Sequence, residues 1–297
     1  MKYLITGGCG SFGKAMTKKL LELEQEVIIF SRNEKNQVDF KRLYPQVKFI
    51  IGDIRDYAAI NEALKEVDYC IHAAAMKHID KCELQPLEAI KTNVIGSKNV
   101  ILACINNKIK KLVCLSTDKA ANAETTYGST KFLMERMALD IDSKDTEIVV
   151  TRYGNVLGSS GSVIPLFKSL AKEGKSLTIT NRDITRFFMP MSEAIDLVLY
   201  ALEFGKNKDL IVYDNKGATV GMIADCISDN QVEIGLRCIE KTGEALLTIH
   251  ELNHSHLDGN YFVVNKEKSE IEYTEPLTSE NCKKFTMKEL KKLIEEL

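Results

Sequence analysis

Leu4-Ile5-Thr6-Gly7-Gly8-Cys9-Gly10-Ser11-Phe12-Gly13 is the stretch that decides the fold of this chain. An apolar run leads into it, and an amphipathic stretch over 14–23 leads out. It satisfies G-x-G-x-x-G through Gly8, Gly10 and Gly13, and G-x-x-G-x-x-G through Gly7, Gly10 and Gly13. The early glycines allow a tight turn and let backbone N–H groups approach a pyrophosphate. The last one lets the following helix lie close to the sheet.

Working outward, short apolar runs at 3–6, 27–30, 48–51, 69–73, 112–115 and 148–151 alternate with amphipathic stretches at 14–23, 56–65, 87–106 and 127–141. Strand and helix alternating in this way imply βαβ units and a parallel sheet covered on both faces. A glycine loop at the first strand-to-helix turn of such a chain marks a dinucleotide site. The expected class is α/β, a doubly wound parallel sheet of the NAD(P)-binding Rossmann type, with a smaller C-terminal substrate-binding cap. The regular alternation fades near residue 155, so we expect a dinucleotide-binding domain over 1–155 and a cap over 156–297, with chain exchange back to the first part left open. Within the second part, 155–166 reads as a Gly/Ser-rich loop, 177–180 as a short strand, 191–204 and 220–228 as helices, 253–284 as polar and irregular, and 287–296 as a terminal helix.

The second strand runs into Ser31-Arg32-Asn33-Glu34-Lys35. An acidic residue here binds the ribose 2′-hydroxyl of NAD. A serine and an arginine come first instead, which favours a 2′-phosphate and so NADP. The expected cofactor group is therefore Thr6, Gly7, Gly8, Gly10, Ser11, Phe12 and Gly13 from the first turn, with Ser31, Arg32, Asn33 and Lys35 from the second. Asp53 and Ile54 after the third strand are expected near the adenine. Ala73, Ala74 and Ala75 after the fourth supply a floor of small side chains.

The fifth strand runs into Ser116-Thr117-Asp118-Lys119, and Tyr127-Gly128-Ser129-Thr130-Lys131 opens the next helix. Tyr127 and Lys131 are four apart and share one helix face. An ammonium beside a phenol lowers the pKa of the phenol and makes it a usable base. Here the chain resembles the extended short-chain dehydrogenase/reductases. It is similar in particular to the UDP-N-acetylglucosamine 4,6-dehydratases, through Ser116–Asn122, Tyr127–Lys131, His72-Ala73-Ala74-Ala75-Met76-Lys77-His78, Glu88–Val94, Thr151–Val156 and Leu177–Thr180.

That resemblance implies bacterial 6-deoxy-sugar chemistry of the pseudaminic acid type, with catalytic residues Thr117, Asp118, Lys119, Tyr127 and Lys131. Tyr127 takes the O4 proton, neutral Lys119 takes the C5 proton, and protonated Asp118 donates to the departing C6 hydroxyl. Lys77 and Asn93 join the cofactor group with Tyr127 and Lys131. Substrate contacts are implied for Lys77, Asn155, Ser162, Val163, Thr178, Arg186, Arg237 and Glu240. The product is a UDP-4-keto-6-deoxy-N-acetylhexosamine with C5 inverted. The alternative is a relative that performs only part of this sequence, such as C4 oxidation and isomerisation of a 5,6-unsaturated UDP-sugar. The partner is a UDP-N-acetylhexosamine, and the family implies a homo-oligomer.

Composition narrows the classes. The formal net charge is −2, so no basic field is available to grip a nucleic acid. No apolar run approaches the ~20 residues of a membrane-spanning helix, and no signal peptide is expected. The eight cysteines are scattered without a C-x-x-C pair, as reduced core thiols of a cytoplasmic protein are. His250, His254 and His256 lie close together but lack a cysteine or acidic ligand to complete a set, so no metal is expected.

Overall fold

The computed structural model describes residues 1–159, 161–236 and 240–297. Strands β1 (Lys2–Thr6), β2 (Glu26–Ser31), β3 (Lys48–Ile51), β4 (Tyr69–His72), β5 (Lys111–Leu115) and β6 (Glu147–Arg152) pair in parallel in the order β3-β2-β1-β4-β5-β6. Helices α1 (Ser11–Glu22), α2 (Glu34–Leu43), α3 (Tyr57–Ala63), α4 (Ile79–Leu84), α5 (Pro86–Ala89), α6 (Ser97–Asn106) and α7 (Thr126–Asp140) connect them. β5 is buried along its whole length, as a strand covered on both faces must be. One apolar cluster, around Leu4, Cys70, Leu112 and Met134, lies on one face. Another, around Ile5, Met16, Ile71 and Leu197, lies on the other. The expected Rossmann-type α/β sheet is the one observed.

The stretch expected as a single helix over 87–106 is interrupted. Residues Ile90–Gly96 form a wider π-helical turn between α5 and α6. Asn93 sits in that turn, fully buried, with its Oδ1 accepting from Met76 N (2.7 Å) and its Nδ2 donating to Met76 O (2.8 Å) and Thr130 Oγ1 (3.0 Å). Such turns recur inside helices at functional sites. This one ties the loop after β4 to α7.

Past residue 152 the chain builds β7 (Asn155–Val156), α8 (Val163–Lys172), β8 (Leu177–Ile179), β9 (Thr185–Met189), α9 (Met191–Glu203), β10 (Leu210–Tyr213), β11 (Lys216–Thr219), α10 (Val220–Asp225), β12 (Gln231–Glu233), β13 (Ala245–Leu247), α11 (Ile249–Leu252), β14 (Ser255–Asp258), β15 (Tyr261–Val264), β16 (Leu277–Thr278) and α12 (Met287–Glu295). Two expectations are corrected. Residues 155–166 are not all loop: β7 opens the segment and α8 begins at Val163, because Ile164 and Phe167 sit on its buried face in a third core with Leu290 and Ile294 of α12. Residues 253–284 are not irregular: β14 and β15 form a hairpin that joins the main sheet through β10. Three residues of β14 are exposed at the sheet's edge, so the strand reads as polar. Among the described residues the main sheet thus has nine strands, in the order β14-β15-β10-β6-β5-β4-β1-β2-β3. Seven of the eight cysteines are described, and all seven are free thiols.

Arg152 at the end of β6 joins the two parts. It is 1% exposed and donates to Glu135 of α7, to Glu251 of α11 and to Leu246 O of β13. Its guanidinium loses solvation on burial, yet the two carboxylates hold its pKa above the usual arginine range.

Candidate functional site

The C-terminal ends of β1, β2, β4, β5 and β6 open onto one cleft of about 1180 Å³. That exceeds the roughly 300–1,000 Å³ of a pocket for a single small ligand. At its base Gly10 precedes α1. Among the described residues no side chain caps that helix and no acidic residue stands in its first turn, an arrangement that suits an anion at a helix N-terminus. Gly13 lies against the turn: a Cβ there would come within 2.4 Å of Gly8 Cα.

The small-residue floor is held by a hydrogen-bond chain. Ser97 Oγ donates to Asn93 O (2.6 Å), so it must accept from His72 Nε2 (2.9 Å). His72 Nδ1 then accepts from Thr6 Oγ1 (2.7 Å), and Thr6 Oγ1 accepts from Ala74 N (3.2 Å). His72 is held neutral: burial first, then the charge of Lys131, push its pKa down to about 3. Thr6 therefore fixes the Ala73–Ala75 segment from behind and does not line the cleft.

At the far end Arg32 and Asp53 both line the cleft. Their side chains approach to 3.8 Å, and Asp53 is also paired with Arg55 at 2.7 Å. Burial raises the Asp53 pKa, but the two arginines, Arg55 foremost, bring it below the ordinary carboxylate value. Ser31 Oγ contacts Cys9 Sγ and accepts from Gln37 Nε2. Lys35 is exposed and stands off the cleft, whereas Asn36 lines it.

The wall between the two parts carries Thr117, Lys119, Tyr127 and Lys131 together. α7 can approach because its third residue is Gly128, where a Cβ would meet Lys119 O at 2.4 Å. Thr117 Oγ1 donates to Asp118 Oδ1 (2.8 Å), and Lys119 Nζ donates to the same oxygen (3.1 Å). Asp118 is 1% exposed and lies behind Lys119, off the cleft wall, with its Oδ2 lacking a partner among the described residues. A second carboxylate, that of Glu244, reaches Lys119 Nζ at 3.5 Å.

Two electrostatic expectations are corrected. Burial lowers the Lys119 pKa, but Asp118 and Glu244 outweigh it against opposition from Arg186, so the group is raised and stands as an ammonium. Tyr127 is raised rather than lowered: burial dominates, Tyr153 and Asp118 add to it, and the hydrogen bond with Thr117 is too weak an opposition. Lys131 donates to Leu115 O (2.6 Å), and burial brings its pKa down to about 8.

Of the residues expected to hold the cofactor, Gly7, Gly10, Ser11, Phe12, Gly13, Ser31, Asn33 and Ile54 line the cleft. Of those expected to contact the substrate, Lys77, Asn155, Ser162, Val163, Arg186 and Glu240 line it too. Gly8 and Asn93 are packed behind it. Thr178 is the exposed residue of β8 and stands elsewhere. Arg237 lies outside the described residues. Tyr153 and Glu244 line the wall without having been singled out from the sequence as catalytic. Tyr153 was legible as the residue just past a strand end, whereas Glu244 was legible only as the end of a stretch, 237–244, expected near the nucleotide and not as a partner of Lys119.

The sequence profile of the polysaccharide biosynthesis protein family matches residues 3–266. A UDP-glucose 4-epimerase of Rickettsia akari (strain Hartford) is 40% identical over an alignment of 321 positions that covers 98% of this chain and 94% of that one. The X-ray structure of Pen from Bacillus thuringiensis superposes with a TM-score of 0.94 at 31% identity, covering 100% of this chain and 97% of Pen. DesIV, a dTDP-glucose 4,6-dehydratase from Streptomyces venezuelae with NAD and TYD bound, shares the fold at 20% identity, with a TM-score of 0.73 and coverage of 82% and 87%. A glycine loop at the first turn, a tyrosine and lysine on one helix and a profile spanning most of the chain lead to one conclusion: this protein belongs to the polysaccharide biosynthesis protein family.

Proposed function

We propose that the chain is an NADP-dependent UDP-N-acetylglucosamine 4,6-dehydratase that inverts C5 and forms a UDP-4-keto-6-deoxy-N-acetylhexosamine for pseudaminic acid or a related surface glycan. The observation that carries this reading is Lys119, held between Asp118 and Glu244 on the wall that bears Tyr127. Epimerisation at C4 needs a proton-transfer group at O4. Elimination across C5 and C6 needs more: one group to take the C5 proton and one to supply a proton to the departing hydroxyl.

The cleft fits a nicotinamide dinucleotide. The uncapped start of α1 suits a pyrophosphate, Ala73–Ala75 leave room beside it, and Arg32 at the end of β2 suits a 2′-phosphate. When bound, that cofactor supplies the reversible two-electron acceptor which chemistry at C4 requires. Tyr127 then handles the O4 proton, with Thr117 sharing the hydroxyl. Lys119 must give up its proton before it can take the one at C5, and the released proton is one that loss of the C6 hydroxyl as water consumes. The soluble UDP-sugar occupies the side lined by Asn155, Ser162 and Arg186.

A second reading, a C4 epimerase, is favoured by the name of the 40%-identical Rickettsia akari relative. Proton NMR of the purified chain with UDP-N-acetylglucosamine in D₂O separates the readings. A new C6 methyl signal with deuterium at an inverted C5 is the expected result. Interconversion at C4 with C6 still hydroxylated would replace it with the epimerase. Turnover of the 5,6-unsaturated UDP-sugar alone would replace it with the partial reaction.

A further inference from the structure

Glu244 comes from the C-terminal part of the chain, one residue before β13, yet its carboxylate is 7% exposed and turned towards a residue of the N-terminal part. It lies 3.5 Å from Lys119 Nζ and 3.9 Å from Arg186 Nε. Its backbone is pinned on both sides: Glu244 N donates to Ser279 Oγ (2.9 Å), and Ser279 N donates to Glu244 O (2.8 Å). Arg186 is itself oriented, by Thr185 O and Lys241 O, each at 2.8 Å. Lys241 in turn reaches across to Asn122 O (2.6 Å) and Glu124 (3.2 Å) in the loop before α7. The seam between the two parts is therefore closed by charged side chains around Lys119.

The charged groups that act on Lys119 are Asp118 on its own turn, Glu244 before β13 and Arg186 on β9, and the Tyr127 phenol of α7 lines the same cleft. Asp118 is local and travels with Lys119. Glu244 is delivered by tertiary packing, and it is the carboxylate of the two that lines the cleft.

We propose that Glu244 is a positioning residue for Lys119: it holds the ammonium at the cleft wall and sets the pH at which Lys119 releases its proton, so that docking of the C-terminal part governs proton transfer by a residue of the nucleotide-binding part. The functional meaning rests on Lys119 being the proton-transfer group proposed above, whereas the electrostatic coupling does not. A nearby opposite charge favours the charged form. Glu244→Gln keeps the shape of the side chain and removes that charge.

The test is competitive labelling of the full chain with trace acetic anhydride across pH, read at the Lys119 peptide by mass spectrometry. Only the neutral amine reacts, so the labelling rate reports the titration of Lys119 without any turnover. E244Q is expected to lower the Lys119 midpoint by about one pH unit or more, which is about tenfold faster labelling at a fixed pH below the midpoint. E244D, which keeps the charge, shifts it less. A folded E244Q in which Lys119 titrates as in the wild type overturns the proposal. Should E244Q not fold, R186Q serves instead. Loss of the competing cation should raise the midpoint and slow labelling, and an unchanged rate overturns the proposal. Alongside, the rising limb of the kcat–pH profile with UDP-N-acetylglucosamine should move to lower pH in E244Q. A labelling shift without turnover of that substrate supports the coupling and sinks the proposed reaction, so the two failures are distinct.

Discussion

Arg152 and Glu135 meet in the interior through two parallel hydrogen bonds, Nε to Oε1 at 3.0 Å and Nη2 to Oε2 at 2.6 Å. Glu135 lies on α7, one turn beyond Lys131. Because Arg152 also holds Glu251 and Leu246 O, the helix that bears Tyr127 is braced by the C-terminal part of the chain. Removing the guanidinium leaves two carboxylates without their cation. Arg152→Met is therefore expected to cost about 3–5 kcal/mol. Urea unfolding of the variant and the wild type measures this, and a loss below about 1 kcal/mol would show that the pair is replaceable by apolar packing.

His72 makes stability pH-dependent in a defined direction. Burial brings its folded pKa down to about 3, below the ordinary histidine value of 6.5. Between those values the unfolded chain binds a proton that the folded chain does not. Stability is thus intact above 6.5 and falls on acidification, by up to about 1.4 kcal/mol per pH unit. His72→Gln removes this contribution. Urea midpoints followed downward from neutral pH should fall more steeply in the wild type than in H72Q. Equal slopes would rule out a neutral buried His72 as the cause.

Gly13 allows α1 to lie on the turn, where a Cβ would stand 2.4 Å from both Gly8 Cα and Gly8 O. Backbone cannot yield as a flexible side chain can. Gly13→Ala should cost about 1–3 kcal/mol of stability and weaken dinucleotide binding. Thermal unfolding with and without NADPH reads both effects. Full stabilisation of G13A by the nucleotide would argue that the pyrophosphate does not sit at this turn.

On the proposed function, Arg32 is the residue expected to sort NADP from NAD. Its side chain is 60% exposed, with Asp53 3.8 Å away, so it is free to reorient towards a 2′-phosphate. Arg32→Ala should lose about 1.5 kcal/mol or more for NADP, near tenfold in Kd, with little change for NAD. Titration calorimetry with both nucleotides checks this, and equal losses for the two would withdraw the assignment to NADP.

The glycine loop, the strand and helix alternation as far as β6 and the Tyr127–Lys131 spacing were readable in the sequence. Each is local: a turn needing no side chain, apolar runs of strand length, two residues four apart on one helix. The same local logic failed where contacts came from far along the chain. β14 reads as polar because it is an edge strand, and only its pairing with β15 reveals it. Asn93 reads as a helical site residue, but its hydrogen bonds to Met76 and Thr130 turn it into a buried brace. Lys119 and Asp118 are adjacent in sequence, so their pairing was legible. The charge state of Lys119 was not, because Glu244 lies more than a hundred residues away. What the sequence determined by itself was the backbone scaffold and the kinds of chemical group on it. Tertiary structure alone decided the proton affinity of those groups, because burial and long-range carboxylate contacts set whether a charge is stable.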